Sequence, residues 1–188
     1  MGKTRAEKNY HIRAGTRSLV YIAMFTAVMA VLSQLYIPMP TGVPVTLKTF
    51  AVALTGAVLG WKKGMCSMVI YILLGVVGVP VFSGFGGGLS HLLNYTGGFI
   101  YGFPFLAGLC GLAVAMKNKM LTGIAALLGI ELCHIAGVIQ FTILTGRSFW
   151  EACLVVSLPY QIKDMIFVAA ALAVGQKVRK HLCRAGLL

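Results

Sequence analysis

Six long apolar runs dominate the chain, and the breaks between them differ in character. The first run covers about 18–36 and ends at Tyr36, Pro38 and Pro40. The second, 47–60, is short for a full crossing and stops at Trp61-Lys62-Lys63. Runs at about 64–79, 97–116, 120–145 and 159–176 follow, and Lys117, Lys119, Gly146-Arg147 and Pro159 mark their junctions. A bilayer core takes about 20 apolar residues per helix, so this length holds at most about six or seven crossings. The pattern predicts an all-α integral membrane protein: a compact bundle of six transmembrane helices forming one domain over 18–176. A basic segment, 1–17, precedes it and a basic tail, 177–188, follows.

Two breaks carry no formal charge: the proline-rich 37–46 and the glycine-rich 80–96. Irregular backbone exposed to lipid has no water to bond to. Such loops therefore lie at the surface or are packed in protein. Basic residues set the orientation, because cytoplasmic segments are enriched in Lys and Arg. With both termini inside, thirteen of the sixteen Lys and Arg fall in cytoplasmic segments, leaving Lys48, Arg147 and Lys163 for the outer half. That orientation puts 37–46 and 80–96 on the same outer face, as the flaps of a small-molecule pocket.

Composition narrows the function. The chain is 59% hydrophobic and 11% charged, whereas soluble domains carry roughly 45–50% apolar and about 25% charged residues. The net charge of +12 is spread over the ends of apolar runs and forms no single patch, so nucleic acid is not an expected partner. Five scattered cysteines without a CxxC pair predict neither a disulfide framework nor a zinc site. The N-terminus lacks the small-residue cleavage pattern of a signal peptide. No phosphate-binding loop is present, since the glycines at 84–88 have no following lysine and no preceding strand.

Few residues can carry chemistry inside such a bundle. Glu131 and His134 share one face of the fifth run, at a depth where ionisable groups are costly and usually functional. They read as a hydrogen-bonded structural pair, or as a partner contact or proton site. Four acidic residues in all are too few for a di-metal centre. Asp164, beside Lys163 near the start of the sixth run, either stabilises that helix end or accepts hydrogen bonds from a ligand. Thr96 is a candidate N-cap for the fourth run, and such an end suits a carboxylate. Neighbouring Asn94 can bond an amide or ureido group, while His91 reads as a surface residue. Ala23, Ala27 and Ala30 give the first run a small-residue face that admits another helix, either within the bundle or from outside.

Three stretches, IPMPTGVPVTLKTF (37–50), LGVVGVPVFSGFGGG (74–88) and NYTGGFIYGF (94–103), resemble the BioY family. Its members are the biotin-binding S components of energy-coupling-factor (ECF) vitamin transporters. The resemblance spans about 20–175 and implies a binding subunit of a prokaryotic plasma membrane, not an enzyme, with no cofactor. It implies biotin as ligand, the lipid bilayer as surroundings, and a transmembrane coupling (T) subunit with two ABC ATPases as partners. Ala23 and Ala27 match the family's docking motif for the coupling subunit. Asp164 matches the ligand-holding aspartate of the sixth helix, but the family's lysine three residues later is Phe167 here, and TLQTF has become TLKTF. Lys48 is therefore expected to replace the missing cation, with Lys163 as its rival. Asn94 joins Asp164 as a polar contact, and Tyr36, Phe82, Phe85, Tyr95 and Tyr160 are candidate walls for the ring system. The same features leave room for an S component of another vitamin, or for an intramembrane enzyme built on Glu131 and His134.

Overall fold

A computed structural model of the chain describes residues 5–38, 45–116 and 118–186. Most of the proline-rich loop expected as a flap (39–44) and the boundary residue Lys117 lie outside the described residues. Helix α1 (Arg5–Ser33) leads into a two-residue antiparallel pair, β1 (Tyr36–Ile37) and β2 (Val45–Thr46), with Tyr36 opposite Thr46. Helices α2 (Lys48–Leu59) and α3 (Trp61–Val76) are separated by Gly60 alone. Gly60 adopts φ 81°, ψ 172°, a backbone open to glycine and to few other residues. After a short 3-10 turn (Ser83–Phe85) come α4 (Leu89–Leu92), α5 (Gly97–Ala115), α6 (Lys119–Thr145), α7 (Phe149–Ala152) and α8 (Leu158–Arg184).

Local chemistry sets these boundaries. The Asn118 side chain accepts from the Met120 N–H at 2.9 Å to start α6, and Gly146 in a left-handed conformation ends it. Ser148 and Glu151 form a reciprocal capping box on α7, which accounts for one of the four acids. Pro159 then has no N–H to continue the ladder. The segment Cys153–Ser157 widens into a π turn, with the Leu158 N–H reaching back to the Cys153 carbonyl.

Among the described residues, four helical stretches are long and apolar enough to cross a membrane: Gly15–Ser33, Gly97–Ala115, Lys119–Thr145 and Phe149–Arg184. The sequence predicts six, and the difference falls on α2 and α3. At 1.5 Å per residue, α2 is about 18 Å long and α3 about 24 Å, against a hydrocarbon core of about 30 Å. Packing explains why α2 need not be longer. It lies at the centre of the bundle against α5, α8, α3 and α1, and nine of its twelve residues are buried. Neighbouring helices, not lipid, surround its backbone.

Small residues make that packing close. A Cβ on Gly56 would stand 2.0 Å from the Ala107 carbonyl oxygen of α5, and one on Gly98 would stand 2.2 Å from that of Ala136 on α6. On α1 the inward face carries Ile22, Phe25, Thr26 and Met29, all buried. The Thr26 and Ser67 hydroxyls meet at 3.0 Å, tying α1 to α3. Ala23 and Ala27 point the other way and are exposed, so packing inside the bundle does not explain them.

Side chains of α1 and α3 hold the glycine-rich flap segment. Ser33 Oγ and the Tyr71 hydroxyl both donate to the Val81 carbonyl, and the Phe85 N–H donates to Gln34 Oε1 at 2.8 Å. Phe82 anchors this loop in the core, fully buried, edge-on to Tyr71 and stacked on His91.

Candidate binding site

Charge collects at one place among the described residues. Asp164 lies on α8 about a turn beyond Pro159 and is only 7% exposed. Its Oδ1 is 2.7 Å from Lys163 Nζ and its Oδ2 is 3.1 Å from His134 Nε2 on α6. Lys163 Nζ also donates to the Thr46 carbonyl of β2 at 3.4 Å and lies over the Tyr160 and Phe167 rings at 5.8 and 5.4 Å. Phe167 thus supports the Lys163 ammonium from below.

Lys48 opens α2 and is as buried as Asp164, at 7% exposed. No carboxylate among the described residues forms an ion pair with it. Its position conflicts with local preference, since a cation in the first turn opposes the helix dipole and a buried unpaired charge is costly. Lys48, Thr49, Thr96, Tyr160, Lys163 and Asp164 line one cavity with Thr46, Phe99, Ile100, Phe103 and Cys133. The cavity holds about 60 Å³, several times the roughly 10–15 Å³ one water requires. One wall is aromatic and apolar, and the opposite wall holds two cations and one carboxylate. That combination suits a ligand with an apolar body, hydrogen-bond donors for Asp164 and an anionic group for Lys48.

Comparison with known proteins decides the family. The model of the BioY family matches residues 4–184. This chain belongs to the BioY family. The "Probable biotin transporter BioY" of Pyrococcus horikoshii is 35% identical over 158 residues, covering 84% of this chain and 93% of the relative. The biotin transporter BioY of Thermotoga maritima is 32% identical over 165 residues, with 87% and 96% covered. The crystal structure of the S-component for biotin from an ECF-type ABC transporter superposes with a TM-score of 0.78 at 25% identity, over 95% of each chain. The BioY family is a family of transport proteins, not of enzymes.

Four of the residues expected from the sequence line the cavity of this BioY protein: Lys48, Tyr160, Lys163 and Asp164. Five lie elsewhere. Asn94 is exposed, and its side chain accepts from the adjacent Tyr95 N–H at 2.7 Å. Tyr95 is exposed and leans on Phe141. Phe82 is core, Phe85 is 72% exposed at the loop tip with φ 57°, and Tyr36 stands in the exposed β1 strand near Gly84. Thr96 occupies the N-cap position of α5 but makes no capping hydrogen bond with its side chain.

Glu131 and His134 do not pair with each other. Gln161 donates to Glu131, while His134 Nδ1 meets Ser157 Oγ at 3.0 Å and its Nε2 meets Asp164. No cluster of three metal-ligating side chains exists among the described residues. Sequence reasoning missed Thr49, Phe99, Phe103 and His134 as site neighbours. The four-residue spacing of Phe99 and Phe103 on α5 was the readable signal.

Proposed function

We propose that this protein captures biotin at the outer face of a prokaryotic plasma membrane, as the substrate-specific subunit of an ECF-type transporter. Lys48 carries this reading: it is a buried cation at the wrong end of a helix dipole, lining the cavity with no ion-pair partner among the described residues. It takes the biotin carboxylate. Asp164, held by Lys163 and His134, accepts from the ureido N–H groups. Phe99, Phe103 and Tyr160 cover the bicyclic body. Asn94, Tyr36, Tyr95 and Phe85 belong to the rim, and reach ligand only if the flaps move inward.

The bundle crosses the bilayer six times, with α2 enclosed by its neighbouring helices and α3 at the periphery. The distribution of Lys and Arg supports cytoplasmic termini, with segments 1–17 and 177–188 on that side and the flaps outside. The 80–96 loop is tied to the end of α1 through Gln34, and Thr46 and Thr96, one from each flap, both border the cavity. The exposed Ala23 and Ala27 on α1 offer a close-packing surface to the T subunit, which two ABC ATPases drive. Equilibrium titration of labelled biotin onto the purified protein, with other vitamins as competitors, tests the reading. Saturable binding displaced by biotin alone is expected; displacement by another vitamin, or no binding at all, would overturn it.

A further inference from the structure

We infer that His134 is the positioning residue of the binding carboxylate, itself held in place by Ser157 of the π turn. The inference rests on Asp164 being the ureido acceptor. His134 is 3% exposed and lies between two partners, Ser157 Oγ at Nδ1 (3.0 Å) and Asp164 Oδ2 at Nε2 (3.1 Å). The carboxylate can only accept at Nε2, so that nitrogen carries the proton. Nδ1 meets the Ser157 hydroxyl, so both ring nitrogens have a partner.

Three features make this more than helix packing. First, α6 and α8 are joined here by two polar pairs, His134 with Asp164 and, one turn along, Glu131 with Gln161. Second, Ser157 reaches the ring from the last residue of a widened turn that Pro159 imposes, and π turns recur at functional sites. Third, Phe99 sets its edge against the imidazole at 5.6 Å and also lines the cavity. With Oδ2 bonded to His134 and Oδ1 facing Lys163, the carboxylate is held from two sides at the cavity it lines. A donor bonded to a charged acceptor fixes geometry as well as energy.

Titration of purified His134→Leu and His134→Gln with biotin, and with a biotin analogue methylated at one ureido nitrogen, tests this. His134→Leu should lose about 10- to 100-fold in biotin affinity, and the penalty for methylation should shrink, because a loose carboxylate no longer rewards the second N–H. His134→Gln, which can still donate to Asp164, should recover most of the loss. Equal losses for both ligands without recovery by glutamine would overturn the inference. Should His134→Leu not fold, Ser157→Ala takes its place: biotin affinity should fall severalfold and the penalty for methylation should shrink, and no change in either would overturn it. Failure of wild-type protein to bind biotin refutes the functional reading instead. Loss of binding in Asp164→Asn with none in either His134 variant refutes only the role of His134.

Discussion

Removing the charge of Lys48 should move affinity and stability in opposite directions. The hydrogen bonds a carboxylate receives from an ammonium contribute about 1.5–3 kcal/mol, and a factor of ten corresponds to about 1.4 kcal/mol. Lys48→Gln should therefore weaken biotin about 10- to 100-fold. In the ligand-free protein the same ammonium is buried, 7% exposed, and without an ion-pair partner among the described residues. It also opposes the α2 dipole, at about 0.3–1 kcal/mol, and desolvation adds to that. The empty variant should then be more stable, and about 1 kcal/mol raises the melting midpoint by about 2–4 °C in a chain of this size. Calorimetric titration with biotin and with its methyl ester, alongside thermal unfolding in detergent, reads both effects. The wild type should prefer the acid over the ester, and Lys48→Gln should not. If the variant still prefers the acid, Lys48 does not hold the carboxylate; if it melts lower than wild type, the charge was not unpaired.

Lys163→Met should behave in the contrary way. It strips a cation from Asp164, so the empty protein should lose about 1–2 kcal/mol, a figure reduced for the 20% exposure of the lysine, and biotin affinity should fall less than in Lys48→Gln; a stability gain would show that the pair at 2.7 Å contributes nothing. Gly98→Leu drives a side chain into the Ala136 carbonyl and should cost at least about 1–3 kcal/mol through α5–α6 separation, measured as a lowered melting midpoint with apparent affinity reduced only through lost folded protein. Ala27→Trp alters an exposed face of α1; biotin binding by the isolated subunit should be unchanged while uptake by cells supplying the coupling module is abolished, and normal uptake would remove α1 from the docking surface.

The apolar runs placed the main helices because lipid and core make the same demand, a continuous stretch without charge. They overstated how many of those helices are long enough to span alone, because run length cannot distinguish a helix bathed in lipid from one enclosed by its neighbours. α2 is the enclosed case, and its Gly56, close to Gly64 of α3 across the Gly60 break, is the trace this leaves in the sequence. Loop aromatics misled for a related reason. Phe82 and Phe85 are three residues apart in one glycine-rich loop, yet one is fully buried and the other 72% exposed. Gly84 and Phe85, both at positive φ, turn the chain between them, and composition does not encode that turn.

The charged residues were legible individually but not as a set. Glu131 and His134 look like a pair because a helix aligns residues three apart. Gln161 and Asp164 have the same spacing on α8, and the two helices mesh so that Glu131 meets Gln161 and His134 meets Asp164. Each pairing crosses thirty residues of chain, so no local rule could join them. Their meeting changes the electrostatics of the site. Asp164 is already matched by Lys163 and braced by His134, so a ligand brings it donors and not a counterion. The cavity charge left without an ion-pair partner among the described residues is Lys48, on the central helix. A ligand with ureido donors at one end and a carboxylate at the other matches both Asp164 and Lys48, whereas a neutral or doubly cationic ligand of equal size would leave Lys48 unmatched.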